Sequence, residues 1–297
     1  MSEFRSGYVA LVGRPNVGKS TIMNRMIGQK ISITSRRPQT TRHRILGIKT
    51  DEDVQIVFVD TPGLHAKEPR AMNRYLNRAA SDSLRDVDVV VFVVDSTRWH
   101  DDDEWILEKL KRLSCPVIVA INKTDRITDK ETLLPFLQEL GERGDFSAII
   151  PVCARRGEHL DELENAIREH LPVSVPFYPE DQVTDRSERF LAAELVREKL
   201  FRKLGDEIPY GLTVEIESFK EEKNVLHIHA LIWVEKSSLK PIVIGHKGAL
   251  LKAVGKEARE DMQKAFDQKV FLQLWVKVKE GWADDDRALR SLGYQDY

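Results

Sequence analysis

The stretch YVALVGRPNVGKST, residues 8–21, carries an apolar run into a glycine-bearing turn and then into a segment of helical spacing. Gly13, Gly18, Lys19 and Ser20 stand at the G-x-x-x-x-G-K-[ST] spacing. A strand before that pattern and a helix after it are the context that makes it a P-loop. Its glycines let backbone N–H groups close round a β-phosphate, at a helix start whose dipole favours anions. In such a loop Lys19 would bridge the β- and γ-phosphates and Ser20 would ligate Mg2+. Asn16, Val17 and Thr21 would complete the cradle. A tight strand–helix turn with no ligand is the alternative that the flanking pattern disfavours.

On either side of this loop the chain keeps to one rhythm. YVALV (8–12), VQIVFV (54–59), VVVFVV (89–94), PVIVAI (116–121) and AIIPV (148–152) read as strands. Four of the five are solid apolar runs, as parallel strands covered on both faces must be. Helical spacing fills 20–28, 70–84, 103–113, 130–140 and 158–171. The alternation predicts an α/β fold with a doubly wound, mostly parallel sheet. LPVSVPFYPEDQVTD (171–185) stops it: three prolines from Pro172 to Pro179 favour extended backbone and predict an interdomain linker.

The rest is organised differently. RSERFLAAELVREKLFRKLG (186–205) is an amphipathic helix, with Asp185 and Glu188 suited to its N-terminal cap and Gly205 to its end. GLTVEIE, VLHIHALIWVE and KVFLQLWVKVK alternate as half-buried strands do, and a helix from about Ala249 to Phe266 lies between the last two. The order predicts a small α+β domain. The domain boundaries expected are 1–172, a linker over 173–184, and 185–297 with a C-terminal tail.

Composition narrows the class without naming it. The 297 residues are 32% charged and 41% hydrophobic, ordinary values for a protein with real cores. A net charge of −2 leaves any nucleic-acid contact to local clustering. Two cysteines, Cys115 and Cys153, make no disulfide framework and suit a reducing cytosol. The start MSEFRSGYVALVG lacks the apolar core of a signal peptide. The longest apolar run, VVVFVV, is far short of the ~20 residues of a membrane span.

Two further motifs end predicted strands. Asp60-Thr61-Pro62-Gly63 follows VQIVFV; Asp60 would reach Mg2+ through water and the Gly63 N–H would sense the γ-phosphate. Asn122-Lys123-Thr124-Asp125 follows PVIVAI. Guanine offers N1–H and the 2-amino group side by side, and the Asp125 carboxylate accepts both. Adenine lacks that donor pair and would leave the carboxylate desolvated and unpaired, a penalty of the kind that discriminates by roughly 10⁴-fold. Asn122 would support O6/N7 and the P-loop, and the Lys123 stem would cover the base. The motif order resembles the translational GTPase class. That class usually adds a Ser-Ala pair whose backbone N–H meets guanine O6; here the pair is Cys153-Ala154.

Between the first two motifs lies ISITSRRPQTTRHRI (31–45), with Arg36, Arg37, Arg42 and Arg44 around Thr40 and Thr41. One threonine would complete the Mg2+ shell when a γ-phosphate is present; Thr41 is favoured, Thr40 the alternative. The arginines suit either a solvated loop or a contact surface governed by nucleotide. Lys19, Thr41 and Gly63 are the expected catalytic set. DTPG is followed by Leu64 where a Ras-type enzyme has a water-orienting glutamine, so intrinsic hydrolysis should be slow. Asn16 suits either a local turn or a K+ ion beside the phosphates. His65 is the next residue, and an exposed loop histidine usually does no chemistry.

A second glycine loop stands in VIGHKGALLK, residues 243–252. Between Lys236 and Lys279 there are ten Lys/Arg against four Asp/Glu, a local +6. Gly245, His246, Lys247, Gly248 and Lys252 would grip consecutive phosphates, as a KH module clamps about four nucleotides of single strand. Trp275, Lys277, Lys279 and Trp282 follow and would stack on or neutralise RNA, although Trp275 on an alternating strand suits a structural role as well.

GRPNVGKST, QTTRHRILGI, DTPGLH, NKTD, DRSERF, VIGHKGALLK, LWVKVKEGW and WADDDRALRSLGY together resemble the Era family of bacterial GTPases across nearly the whole chain. The resemblance implies a GTPase domain followed by a type II KH domain, with GTP/GDP and Mg2+ as ligands. It implies a cytoplasmic ribosome-assembly monomer that binds small-subunit ribosomal RNA near its 3′ end and associates loosely with the inner membrane. The alternative is a signalling GTPase whose C-terminal module docks a protein. A small-molecule P-loop kinase is disfavoured by NKTD.

Overall fold

The computed structural model describes residues 3–35, 37, 39–64, 71–82, 84, 86–127, 133–205, 208–292 and 294. His65 and Arg36, singled out above, lie outside them. The chain divides into two compact units, one of 1–32, 41–68 and 76–185, the other of 33–40, 69–75 and 186–297.

The first unit is a six-stranded sheet in the order β2-β3-β1-β4-β5-β6. Its strands are β1 (Arg5–Val12), β2 (Ile45–Thr50), β3 (Val54–Asp60), β4 (Val89–Asp95), β5 (Val117–Asn122) and β6 (Ala148–Pro151). The strands β3, β4 and β5 are buried along their whole length, Gln55 of β3 included. That is what parallel strands with helices on both faces require. The helices are α1 (Lys19–Ile27), α2 (Ala71–Asp82), α3 (Asp101–Leu110), α4 (Leu133–Arg143) and α5 (Leu160–His170). The five strands expected are present. β2 is added, and it alone runs antiparallel, paired with β3.

Residues 171–185 run along this unit instead of crossing open solvent. Val173 bridges Arg5, and Thr184 bridges Gly47. The Gln55 side chain accepts from the N–H of Phe177 at 2.7 Å and of Tyr178 at 3.0 Å. Prolines that donate no hydrogen bond are tolerated here because the segment lies at a sheet margin.

The second unit sets α6 (Glu188–Lys203) and α8 (Ala249–Ala265) against a three-stranded sheet ordered β7-β8-β9. β7 (Leu212–Glu222) and β8 (Val225–Val234) are antiparallel; β8 and β9 (Lys269–Val278) are parallel. The short α7 (Leu239–Ile244) leads to the glycine loop, and α9 (Asp286–Ser291) lies near the C-terminus. The helix–strand–strand–helix–helix–strand order is that of a type II KH domain.

Two expectations need correction. Ser187, not Asp185, caps α6, accepting from the Phe190 N–H at 3.3 Å. The Asp185 carboxylate instead accepts the Leu46 N–H at 3.1 Å, satisfying the margin of β2. Trp282 is fully buried, stacked on Tyr294 with ring centroids 6.1 Å apart, so it belongs to the core and cannot stack on RNA. Trp275 is 57% exposed.

Candidate nucleotide site and nucleic-acid interface

In the first unit the loops after β1, β3, β5 and β6 emerge at the carboxyl ends of parallel strands, where open α/β sheets bind ligands. The loop Gly13–Gly18 joins β1 to α1. Gly18 has φ +108°, and a Cβ there would lie 2.1 Å from Asn122 Nδ2. Only glycine lets the NKTD asparagine approach this turn so closely. That asparagine locks the two motifs together: its Nδ2 donates to the Val17 carbonyl at 2.7 Å, and its Oδ1 accepts the Ala154 N–H at 3.0 Å. The Ala154 N–H expected at guanine O6 is therefore engaged by Asn122 in this structure.

Lys19 opens α1 and is buried, its ammonium donating to the carbonyls of Gly13 at 2.9 Å and Arg14 at 3.2 Å. Burial pulls its pKa down to about 8, against the opposing pull of the Asp60 carboxylate. Both carbonyls hold the ammonium over the loop, where a β/γ-phosphate would lie.

Four oxygen-bearing side chains converge beside it. Asp60 Oδ2 accepts from Ser20 Oγ at 2.6 Å, Ser32 Oγ at 2.8 Å and Thr41 Oγ1 at 3.5 Å. The Ser20 and Thr41 hydroxyls are 2.9 Å apart. Asp60 is wholly buried and its pKa is raised by burial, with the hydroxyl bonds opposing. Its Oδ1 has no hydrogen-bond partner. A hard-oxygen set of one carboxylate and two hydroxyls, with an orphaned buried carboxylate oxygen, fits Mg2+, which keeps most of its shell for water and phosphate oxygens. Thr40 is not brought there: its hydroxyl bonds Ser35 Oγ and the Arg37 carbonyl at 2.7 Å. Ser32 was missed by sequence reasoning, because a lone serine in a polar loop carries no spacing signal.

Thr61 donates to the Leu11 carbonyl at 3.0 Å, tying Asp60–Gly63 to β1, and Gly63 abuts Pro15. Leu64 is buried. Asn16 takes φ +64° inside the loop, a left-handed conformation that asparagine tolerates.

At the purine end, Asp125 Oδ1 accepts from Cys153 Sγ at 3.3 Å, and Arg155 lies 3.2 Å from Oδ2. Lys123 stands at φ +68° and donates to Asp95 Oδ2 at 2.6 Å. Burial pushes the Asp95 carboxyl up, but bonds from Lys123 and Thr97 outweigh it and hold it below the usual carboxylate range. The Lys123 side chain is thereby fixed by its far end, leaving its stem to flank a base.

In the second unit Gly245 ends α7 at φ +77°, and a Cβ there would lie 2.6 Å from Leu250 Cβ. Lys247 and Gly248 are also left-handed, so the loop turns sharply and α8 starts at Ala249 with no side-chain cap. His246, Lys247 and Lys252 are exposed. Uncapped N–H groups at a helix start beside exposed cations are what a phosphate chain needs.

Known proteins share both units in this order. Residues 8–123 match a family model described as 50S ribosome-binding GTPase, and 207–283 match a KH domain model. The chain is 60% identical over 292 residues to a GTPase Era of Ectopseudomonas mendocina, covering 98% of both chains. It is 59% identical over 295 residues to that of Marinobacter nauticus, covering 99% and 97%. Its fold superposes with a TM-score of 0.96 on an Era crystallised with MgGDPNP and nucleotides 1506–1542 of 16S ribosomal RNA, at 40% identity over 99% of this chain and 100% of that one. An Aquifex aeolicus Era bound to GDP and aluminium fluoride gives the same score, identity and coverage.

Proposed function

The chain belongs to the Era family of GTPases, and we propose that it is a GTP-hydrolysing switch that binds small-subunit ribosomal RNA near its 3′ end during assembly of that subunit. The RNA follows from the full-length neighbour, whose partner is a 16S segment, and not from the partial match whose description speaks of the 50S particle. The observation that carries the switch is the convergence of Ser20, Thr41 and Asp60 on one buried point beside Lys19.

Each side chain then has a task. Lys19 neutralises charge between the β- and γ-phosphates. Ser20 and Thr41 would ligate Mg2+, and Asp60 would hold its water. When bound, Mg2+ offsets the charge that develops on the transferred phosphoryl group. The Gly63 N–H responds to the γ-phosphate. Asp125 reads guanine, positioned by Cys153, while Asn122 joins the purine end to the phosphate end. Leu64 offers no hydrogen bond to water, so hydrolysis by the chain alone is slow. Asn16 suits a K+ ion next to the phosphates; faster turnover in K+ than in Na+ supports that role, and equal rates remove it.

In the second unit Gly245, His246, Lys247, Gly248 and Lys252 grip the phosphates of single-stranded RNA. We place the protein in the cytoplasm as a monomer with loose attachment to the inner membrane. No helix among the described residues is long and apolar enough to cross a membrane. The decisive experiment is the GTPase rate in K+ buffer with and without a small-subunit 3′-end RNA. Stimulation by that RNA, and none by an unrelated strand, supports the proposal. RNA binding unchanged by Gly245→Asp and Lys247→Glu overturns the assignment of that loop, and no RNA binding with a captured protein instead favours the docking module.

A further inference from the structure

Arg14 follows the first glycine of the phosphate loop, and its side chain leaves the loop for helix α3. Its Nε donates to Asp103 Oδ2 at 2.9 Å, and its Nη2 donates to the Arg98 carbonyl at 3.3 Å. Asp103 lies in the first turn of α3 and is wholly buried. The same Oδ2 accepts the His100 N–H at 3.0 Å. Its Oδ1 finds no hydrogen-bond partner among the described residues. Burial pushes this carboxyl up, and the Arg14 guanidinium opposes the push. All of these residues belong to the first unit.

A carboxylate buried with one oxygen unmet is a poor stabiliser, because desolvation offsets the attraction to its partner. What the pair fixes is the place of Arg14. The backbone of that residue matters to the chemistry, since its carbonyl accepts the Lys19 ammonium at 3.2 Å, beside the Gly13 carbonyl at 2.9 Å. Gly13 is set by its approach to β4: a Cβ there would lie 2.3 Å from the Val93 carbonyl oxygen. Arg14 is tethered by its own side chain.

We propose that Asp103 is a positioning residue for Lys19: by holding the Arg14 side chain it fixes the Arg14 carbonyl, and with it the ammonium that meets the β- and γ-phosphates of bound nucleotide. The inference rests on the proposed role of Lys19 at those phosphates. Its consequence is selective. GMP has no β-phosphate and draws little on Lys19, so loosening Arg14 leaves GMP affinity alone while GDP affinity and GTP turnover fall. Charge without positioning has a different signature. Loss of the Arg14 cation would weaken phosphate binding, whereas loss of the Asp103 anion would strengthen it. A tether gives both losses the same sign.

The test uses the full-length protein with Arg14→Met, Arg14→Lys, Asp103→Asn, the double variant Arg14→Met with Asp103→Asn and, as reference, Lys19→Met. Affinities for GDP and GMP are measured in Mg2+, with kcat and KM for GTP and melting temperatures. Asp103→Asn keeps the size of the side chain and an oxygen for the His100 N–H, so folding tolerates it. Arg14→Met and Asp103→Asn should each weaken GDP against GMP about fivefold and lower kcat to a similar degree, the effect of a misplaced group and not of a missing one. The double variant should lose no more than either single one, since the two groups act as a unit. Arg14→Lys keeps a cation for Asp103 and should recover part of the loss. Opposite signs in the two single variants, or losses that multiply in the double, overturn the inference. A lower melting temperature with the GDP-to-GMP ratio and kcat unchanged overturns it too and leaves a structural role. If Lys19→Met also keeps the ratio, the phosphate role of Lys19 fails with it. If Lys19→Met loses the ratio while both single variants keep it, only the positioning role fails.

Discussion

The chain holds two glycine loops, each proposed to present backbone N–H groups to phosphate, and they differ in what stands behind them. Gly13–Ser20 is pinned from inside: Lys19 is buried on two carbonyls, Asn122 threads against Gly18, and Ser20 shares Asp60 with Thr41. Gly245–Gly248 has a strained backbone of the same kind, but its His246 and Lys247 point into solvent. The first loop is pre-organised for one small ligand of fixed charge, and that organisation costs it a desolvated lysine. The second, on the proposed reading, would admit a polymer from one side, and its cations are exposed to solvent. Pre-organised burial gives discrimination between small molecules. An open cationic loop gives grip that depends on salt and little on sequence.

If the contrast holds, damage to the inner site should be severe and chemically selective. Asp125→Asn should lower affinity for GDP by 10³-fold or more, since a carboxylate facing two donors is replaced by a group that must present one N–H₂. Xanthine carries a carbonyl where guanine has its 2-amino group, so the same variant should gain xanthosine diphosphate. Calorimetry with both nucleotides measures this, and RNA affinity should not change. ATP bound by the native protein as tightly as GTP would break the reading of Asp125.

The outer loop should fail more gently. Lys247→Glu should weaken a short single-stranded RNA by roughly 10–100-fold, the worth of one or two charge-assisted bonds. It should also reduce the slope of log affinity against log salt by about 0.7 for each phosphate no longer neutralised. Gly245→Asp adds a clash with Leu250 and should cost at least as much. Neither should alter GDP affinity. If both variants bind RNA as the native protein does at all salt concentrations, the loop is not the grip.

A pH series separates the loops without mutation. Burial lowers the Lys19 pKa from 10.5 to about 8. A bound polyphosphate stabilises the ammonium, so binding takes up a proton wherever free Lys19 is neutral. GDP affinity should be flat below about pH 8 and fall by up to tenfold per unit above it. The stability of the nucleotide-free protein runs the other way. Its unfolded lysine binds a proton up to 10.5 and its folded lysine only to about 8, so the unfolded state binds more protons across that window and folding gains as pH rises through it. Titration calorimetry and thermal melting between about pH 7 and 8.5, below the range where the purine N1–H titrates, check both signs. Parallel rises or parallel falls would contradict a buried lysine.

Much of this was legible as spacing. Apolar runs marked β1, β3, β4, β5 and β6, and the motifs at the ends of β1, β3, β5 and β6 carried the expected ligand contacts. What escaped depended on partners distant in sequence. β2 was unreadable because ILGIKT is interrupted by Gly47 and follows an arginine-rich stretch; it becomes a strand by pairing with β3. Thr40 and Thr41 are neighbours of one type, and only the course of the loop sends Thr41 to Asp60 and Thr40 to Ser35. Asp185 satisfies the cap pattern, but an edge N–H at Leu46 takes its carboxylate. Trp282 sits in a basic stretch that suggests RNA, whereas its ring fills the core beside Tyr294.

The mildest perturbation bears on the same contrast. Cys153 stands where the class usually has serine, and its thiol donates to Asp125 Oδ1 at 3.3 Å. A thiol is a weak donor and a hydroxyl a better one at shorter range. Cys153→Ser should therefore hold Asp125 as well or better, raising guanine affinity by no more than about threefold, a net hydrogen bond being worth ~0.5–1.5 kcal/mol. Cys153→Ala removes the donor altogether and should lower affinity by a similar small factor. Both effects are small because Asn122 and the Ala154 backbone, not the side chain at 153, hold the two ends of the site together. A loss of tenfold or more in the serine variant would mean that sulfur itself fits the pocket, and that Asp125 is positioned by packing around Cys153 more than by its hydrogen bond.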